Sequence, residues 1–189
     1  MIKVNDINFS GKRAVVRVDF NVPINARFEV TDNTRIAAAI PTIKKIISDG
    51  GSVVLMSHLG RPKKEAPGAF PVKFSLKNIV SELSGLLGIE VKFTEDCISD
   101  KAFSMSSSLK AGEVLLLENL RYYKEEEVGD KVFAQKLSAH GDVYVNDAFG
   151  TAHRAHASTA IITDFFTGAK ASGLLMSSEV SSLELVLSN

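Results

Sequence analysis

The chain has little cysteine, no long apolar run and no excess of either charge, and each shortage excludes a class of protein. Cys97 is the only cysteine among the 189 residues, so no intrachain disulfide is possible and a reducing compartment is expected. No apolar run approaches the ~20 residues that a membrane-spanning helix needs. Residues 1–6 also lack the basic start and apolar stretch of a signal peptide. We therefore expect a soluble cytoplasmic protein.

The charges of the side chains balance. The 22 basic residues are matched by 22 acidic residues, so the protein offers no overall field that would attract nucleic acid or an acidic membrane. We expect neither as a partner. Any positive potential has to be local, and most of the arginines lie near the polar clusters described below.

Short motifs that bind cofactors are also missing. The sequence contains neither the P-loop pattern GxxxxGK[ST] nor the dinucleotide pattern GxGxxG, and no His or Cys spacing fits a zinc site. Cys97 follows Glu95 and Asp96 and has no basic neighbour in sequence, so we expect no reactive thiolate. The sequence therefore predicts no metal site and no cofactor site in this chain.

What the sequence does contain is a set of apolar, β-branched runs that end in polar residues. Hydrophobic residues make up 45 %, and the length is enough for a substantial core. Four runs, at residues 15–18, 53–56, 114–117 and 143–145, each lead into a cluster of polar and basic side chains. Ligands of open parallel sheets bind beyond the carboxyl ends of the strands, so these clusters predict a site for a small anionic ligand.

Segments of helical period separate these runs. They predict helices over residues 32–49, with Asp32 or Asn33 as the cap, and from Ser75 to Gly88, followed by shorter helices over 100–108 and 130–139. Residues 89–93 and 173–176 are further strand candidates, and a last helix is expected from about Ser178. The alternation predicts one α/β domain, a doubly wound, Rossmann-like parallel sheet of about six strands with helices on both faces. Residues 62–71, rich in proline, predict an exposed loop.

Polar residues that follow the first two strands are candidate ligands. Asp19 and Asn21 could hydrogen-bond the oxygens of a hydroxy acid, although an Asx turn before Pro23 explains them equally well. His58 and Arg61 supply donors for anionic oxygens, and Gly60 between them lets the backbone approach a ligand closely. A lone histidine is usually structural, but one paired with an arginine beyond a strand favours a binding role.

Further arginines complete a basic set. Arg35 stands at the start of the first helix, where a solvent-facing role beside Asp32 is the simpler interpretation. Arg121 and Arg154 carry the planar fork that binds phosphate or carboxylate. His153 and His156 flank Arg154 and could widen the basic patch, with an ordinary structural role somewhat favoured for each. The consecutive glutamates at 125–127 predict a solvated loop rather than a metal site.

Four of these segments together resemble one family. Residues 17–23 (RVDFNVP), 57–62 (SHLGRP), 118–121 (ENLR) and 145–159 (VNDAFGTAHRAHAST) resemble phosphoglycerate kinase, in the half that holds 3-phosphoglycerate. The resemblance implies that Arg35 is catalytic, since it steadies the phosphoryl group during transfer. It also implies a set of substrate-binding residues: Asp19, Phe20, Asn21, Arg35, His58, Leu59, Gly60, Arg61, Arg121 and Arg154.

The same resemblance implies a domain organisation. Residues 1–178 would form the substrate-binding domain, and 179–189 would begin a truncated helix that connects it to a second domain. That absent domain would bind Mg·ATP or Mg·ADP. The gene product would transfer a phosphoryl group between ATP and 3-phosphoglycerate in glycolysis as a monomer, whereas this chain alone would bind 3-phosphoglycerate and not turn over. A non-catalytic module that binds a phosphorylated metabolite stays open, and a nucleotide-binding α/β domain is disfavoured because no glycine-rich phosphate loop is present.

Overall fold

The computed structural model describes residues 2–62, 70–151 and 154–187. Within these ranges six strands form one parallel sheet in the order β3-β4-β2-β1-β5-β6. Pairing is in register along the sheet, and Val16 of the central strand lies between Leu55 and Val145 of its neighbours. The strands are β1 (Arg13–Arg17), β2 (Ser52–Met56), β3 (Val91–Phe93), β4 (Val114–Leu116), β5 (Val143–Asn146) and β6 (Lys170–Ser172).

Helices connect the strands and cover both faces of the sheet. They are α1 (Thr34–Ser48), α2 (Val80–Leu87), α3 (Asp100–Ser107), α4 (Lys124–Glu127), α5 (Lys131–Ser138) and α6 (Leu174–Leu187). Short 3₁₀ turns lie at Val4–Asp6, Val72–Phe74, Leu76–Ile79, Leu120–Tyr122, Phe149–Thr151 and Ile161–Phe165. The predicted doubly wound, Rossmann-like sheet is thus confirmed.

Alternation along the strands divides the core into two layers. Val16 and Leu55 face α1 and α2, where Ile43 packs against them. Val15 and its neighbours on the other face pack against α5, with Phe133 fully enclosed. Because successive side chains of a strand point to opposite faces, buried strands of this kind are apolar at nearly every position. Arg17, the last residue of β1, is the exception, since it is a fully buried arginine.

Polar side chains begin several helices as the sequence predicts. The Asp130 carboxylate accepts the Phe133 N–H at 2.7 Å at the start of α5. Asp32 accepts the Thr34 N–H at 2.9 Å in front of α1. Ser75 accepts the Lys77 N–H at 3.2 Å, but the helix it begins is a 3₁₀ turn for its first residues and becomes α2 only at Val80.

The predicted end of the sheet is wrong by a few residues. Residues 173–176 form no strand, because β6 ends at Ser172 and α6 begins at Leu174 rather than near Ser178. The physical reason is a cap from a distant residue. The buried Asp147 carboxylate accepts the Met176 N–H at 3.1 Å, and the Thr42 hydroxyl accepts the Leu174 N–H at 2.9 Å. These bonds satisfy the first backbone donors of a helix and favour helical over extended backbone.

Among the helices of the described residues, none is both long and apolar enough to cross a lipid bilayer. Most of the predicted loop at 62–71 lies outside the described residues, which omit 63–69.

Candidate anion-binding site

The carboxyl ends of four neighbouring strands bring the polar clusters to one edge of the sheet. β4, β2, β1 and β5 are adjacent and parallel, so the residues that follow them emerge on the same side. The Leu120 N–H donates to the Ser57 carbonyl at 3.1 Å, and the Asp147 N–H donates to the Arg17 carbonyl at 2.8 Å. The Val18 N–H donates to the Met56 carbonyl at 3.0 Å, and the three contacts together join the four segments into one surface.

A cavity of about 200 Å³ on this surface is lined mainly by arginine. Its walls are Arg61, Pro62, Arg121, Glu127 and Arg154, and we call it the basic cavity. Arg121 is only 6 % exposed, and its Nη1 donates to a Glu127 carboxylate oxygen at 3.1 Å. Its buried Nε has no hydrogen-bond partner among the described atoms. Among the described residues, three guanidinium groups face one carboxylate and leave positive charge uncompensated, so an anion of two charges would complete the site.

His58 is buried close to two arginines of this cavity, Arg121 and Arg154, but is not one of the residues that line it. Burial, together with the nearby Arg17, Arg121 and Arg154, lowers the pKa of its imidazole to about 3. The ring is therefore neutral at physiological pH. Its Nδ1 lies 3.4 Å from Nη2 of Arg17. A neutral imidazole among cations can donate one hydrogen bond to an anion without itself needing a counter-ion.

A second cavity, of about 270 Å³, holds two further predicted polar residues. Asp19 and Arg35 line it together with Gly150 and Glu179, and we call it the Asp19 cavity. Nη1 of Arg35 lies 2.9 Å from Oδ2 of Asp19, and the arginine side chain is about half exposed. Arg35 thus lines the Asp19 cavity and not the basic cavity.

Asn21 and Gly60 connect the two cavities. The Asn21 side-chain oxygen accepts the Gly60 N–H at 2.7 Å, while the Asn21 N–H donates to Asp19 at 3.0 Å in the Asx turn considered above. Gly60 has φ +61, and a Cβ there would lie 2.6 Å from the Phe74 ring. The segment that carries His58 and Arg61 therefore has a fixed backbone that only glycine accommodates.

Five of the ten predicted substrate-binding residues line one of the two cavities: Asp19, Arg35, Arg61, Arg121 and Arg154. Asn21, His58 and Gly60 lie beside those residues without lining either cavity. Phe20 and Leu59 are buried in the apolar layer against α1 and α2. Their backbones are engaged elsewhere, since the Phe20 N–H donates to the Ser57 hydroxyl at 2.8 Å and the Leu59 N–H donates to the Asn119 side chain at 3.2 Å.

The expectation of a solvated loop for the glutamates at 125–127 is wrong, because they lie in the helix α4 and one of them is buried. Glu126 is fully buried, and its carboxylate accepts the hydroxyl and the N–H of Ser158 at 2.5 and 3.0 Å. Sequence reasoning also passed over Arg17, whose signal is a charged residue at the end of an otherwise apolar strand. No local signal marks Glu126 or Ser158, because the partners are 32 residues apart and meet only in the fold.

His156 is buried below the basic cavity. Its Nδ1 lies 4.0 Å from a Glu126 carboxylate oxygen and has no hydrogen-bond partner among the described atoms. Burial lowers the pKa of this imidazole, and Arg121 and Arg154 act in the same direction. His153, the other histidine beside Arg154, lies outside the described residues.

The described residues offer little support for a metal site or for a reactive cysteine. In the part of the chain that the structure describes, no group of three or more His, Cys, Asp or Glu side chains could hold a metal ion. Cys97 is buried, and burial raises the pKa of its thiol well above the usual value. A thiol in that state is a poor nucleophile.

Comparisons with known proteins agree with one another. Residues 4–189 match the family model described as Phosphoglycerate kinase. A phosphoglycerate kinase of Porphyromonas gingivalis is 50 % identical to this chain, and the match covers 97 % of this chain and 49 % of that protein. A cytosolic phosphoglycerate kinase of Triticum aestivum is 49 % identical, and the match covers 98 % of this chain and 45 % of that protein. The solved phosphoglycerate kinase of Coxiella burnetii superimposes with a TM-score of 0.84 at 34 % identity, and 97 % of this chain covers 44 % of it. The solved phosphoglycerate kinase of Pyrococcus horikoshii superimposes with a TM-score of 0.86 at 32 % identity, and the match covers 97 % of this chain and 45 % of that protein. The chain spans about half the length of these relatives.

Proposed function

Because this chain belongs to the phosphoglycerate kinase family, we propose that it is the part of such an enzyme that binds 3-phosphoglycerate. The observation that supports this most is the basic cavity, where Arg61, Arg121 and Arg154 face the Glu127 carboxylate and no other carboxylate of a described residue. A phosphate ester would supply the missing negative charge. Arginine is suited to it because its planar fork donates two parallel hydrogen bonds to phosphate oxygens.

The neighbouring Asp19 cavity fits the other end of the same molecule. 3-Phosphoglycerate carries a phosphate at one end, a hydroxyl in the middle and a carboxylate at the other end. With the phosphate in the basic cavity, the hydroxyl would donate to Asp19 and the carboxylate would lie toward Arg35. The bond between Asn21 and Gly60 keeps the two cavities in a fixed relation.

In the proposed reaction a carboxylate oxygen of 3-phosphoglycerate attacks the γ-phosphorus of ATP. The new oxygen–phosphorus bond forms as the bond to the leaving ADP breaks, and 1,3-bisphosphoglycerate results. Catalysis of phosphoryl transfer is mainly positioning and electrostatic stabilisation. Arg35, half exposed and paired with Asp19 at 2.9 Å, would turn toward the moving phosphoryl group and stabilise its charge.

The nucleotide would be bound by a second domain, in the half of the relatives' length that this chain does not span. We propose that residues 1–178 bind the substrate and that residues from 179 begin the connection to that domain. The family implies Mg·ATP as the second substrate, and this chain by itself would bind 3-phosphoglycerate without turnover. A cytoplasmic location is part of the proposal and agrees with the name of the wheat relative.

Calorimetric titration with 3-phosphoglycerate tests the proposal. We expect saturable binding by this chain and none of Mg·ATP. Arg121→Ala should weaken binding by about 10- to 100-fold, since a hydrogen bond to a charged group contributes about 1.5–3 kcal/mol. Arg35→Ala should also weaken it, while the matched control Arg27→Ala, an exposed arginine paired with Glu29, should bind as the parent does.

The contradicting result is a folded chain that does not bind 3-phosphoglycerate. The non-catalytic alternative is separated by assaying the complete gene product, because a binding module would take up 3-phosphoglycerate without forming 1,3-bisphosphoglycerate from it in the presence of Mg·ATP.

A further inference from the structure

A chain of buried polar groups runs from Glu126 to His58, close to Arg121 of the basic cavity. It consists of Glu126, Ser158, Arg17 and His58, and we call it the Arg17 network. The Ser158 hydroxyl donates to Glu126 at 2.5 Å and accepts from Nε of Arg17 at 2.9 Å. Nη1 of Arg17 donates to the Val18 carbonyl, and its Nη2 lies 3.4 Å from Nδ1 of His58. No step of the proposed reaction uses Glu126 or Ser158.

The network joins two buried charges through a neutral hydroxyl. Arg17, Ser158 and Glu126 are all fully buried, so solvent cannot reorient them. Burying a cation and an anion costs free energy unless each is paired and hydrogen-bonded. Ser158 satisfies both at once, and this fixes the rotation of the guanidinium group of Arg17. The position of Nη2 of Arg17 therefore depends on Glu126, which acts through the Ser158 hydroxyl.

The position of Nη2 determines which nitrogen of His58 carries the proton. A guanidinium group can only donate hydrogen bonds, so Nδ1 of His58 must accept the contact from Arg17. In a neutral imidazole the proton is then on Nε2, and this nitrogen is left to donate. The imidazole is held in the neutral form by its burial beside three arginines.

Glu126 also fixes the segment that follows Arg154. Its backbone carbonyl accepts the Ala157 N–H at 2.9 Å, and its carboxylate accepts the Ser158 N–H at 3.0 Å. The Thr159 hydroxyl then donates to the Arg154 carbonyl at 2.7 Å. The Glu126 carboxylate is thus connected to His58 through Ser158 and Arg17, and to Arg154 through the backbone of residues 157–159.

We infer that Glu126, Ser158 and Arg17 are positioning residues that hold His58 as a neutral Nε2–H donor to the phosphate of the bound ligand. The inference rests on the proposed function for the identity of that ligand. It adds to that function a way in which His58 recognises phosphate by a directed hydrogen bond, so that the arginines alone supply the charge.

Substitution of Glu126 separates a positioning role from a simple electrostatic effect, because the two predict opposite changes in the affinity for 3-phosphoglycerate. Loss of a negative charge near the cavity would by itself strengthen anion binding. Loss of the network would weaken it. We expect Glu126→Gln and the charge-neutral Ser158→Ala each to raise the Kd for 3-phosphoglycerate about 10-fold, which corresponds to about 1.4 kcal/mol. Glu125→Gln, which removes a charge from the same one-turn helix outside the network, should stay within about twofold of the parent.

Nitrogen NMR of the unliganded chain, labelled with ¹⁵N in its histidine rings, provides the second readout. The shifts of a protonated and an unprotonated ring nitrogen differ strongly, and His58→Gln identifies the signals. We expect the Nε2–H tautomer in the parent and a mixture of tautomers in Ser158→Ala. A mere loss of packing around Ser158 would not change the tautomer of His58, which lies in the separate segment that follows β2.

Either of two results would overturn the inference: an Nδ1–H tautomer in the parent, or unchanged or tighter binding by both network variants. Should Glu126→Gln fail to fold, the Kd of Ser158→Ala for 3-phosphoglycerate and the His58 tautomer in the parent still test the inference. Absence of 3-phosphoglycerate binding by the folded parent would instead overturn the proposed function, while the tautomer, measured without ligand, would still test the network.

Discussion

Among the single residues of the site, His58 has the surroundings that most oppose protonation. Its pKa is lowered to about 3, chiefly by burial and then by the arginines around it. We expect its ring signals to show no titration in NMR spectra between pH 5 and 8, where an exposed histidine would titrate near 6.5. A midpoint inside that range would show that the ring is more accessible to solvent than the structure describes.

The same shift affects stability in a defined direction. Between pH 6.5 and about 3 the unfolded chain binds a proton at His58 that the folded chain does not. The contribution of His58 to the free energy of unfolding therefore decreases as the pH falls through that window. Urea unfolding of the parent and of His58→Gln at several pH values measures it, and their difference should shrink from pH 6.5 downward. A constant difference would contradict this.

Of the described carboxylates, Glu127 alone lines the basic cavity, and it pairs with Arg121 at 3.1 Å. A bound phosphate would have to compete with it. We predict that Glu127→Gln strengthens 3-phosphoglycerate binding by about two- to fivefold, because a partly exposed ion pair contributes up to about 1 kcal/mol. Calorimetry beside the Glu125→Gln control measures the effect. Weaker binding would mean that Glu127 orders Arg121 for the ligand instead.

Residue type predicts an anion-binding site here, and the structure brings the predicted Arg61, Arg121 and Arg154 to one cavity. The burial of Glu126 could not be predicted in this way, because a glutamate between two others is exposed in most local conformations. Its burial depends on the packing of α4 against the segment around Ser158, which only the fold brings together.

At the scale of elements, substitution of two glycines by alanine should change the free energy of unfolding in opposite directions. A Cβ at Gly173, which precedes α6, would lie 2.1 Å from the Asp147 carboxylate that caps this helix. Gly85, in the middle of α2, has no atom within 4 Å of its would-be Cβ. We expect Gly173→Ala to lower the free energy of unfolding by about 1–3 kcal/mol, as overpacking does. Gly85→Ala should raise it by about 0.5–1 kcal/mol through helix propensity.

Chemical denaturation of both variants in one series makes this comparison. Equal effects of the two substitutions would contradict it, since both replace the same hydrogen by the same methyl group and differ only in surroundings.

The order of elements was predictable from the sequence, whereas the boundary between β6 and α6 was not. Apolar periodicity and the caps at Asp32 and Asp130 are local features, and they predicted α1 and α5 to within a few residues. The run Leu174, Leu175, Met176 fits a buried strand or a buried helix equally well. What decides for a helix is Asp147, which is 29 residues away in the chain.

For the whole molecule, the contrast between the sheet and the end of α6 is the most direct prediction. The central strands are buried on both faces, but Leu183, Leu185 and Val186 are 48, 66 and 73 % exposed. We expect the amide hydrogens of residues 181–187 to exchange much faster than those of β1 and β2. Hydrogen-exchange mass spectrometry resolves the two regions. Equally slow exchange would show that the last turns of the helix are covered by another surface.

The unpartnered Nε of Arg121 has a practical consequence for every measurement on this site. A donor of this kind does not distinguish the phosphate of a sugar acid from any other tetrahedral oxyanion, so sulfate or phosphate in the buffer becomes a competitor. At a competitor concentration of about ten times its own dissociation constant, the apparent affinity for the true ligand falls about elevenfold, and the melting temperature rises before any ligand is added. An affinity for this protein is thus defined only together with the anions of its solution.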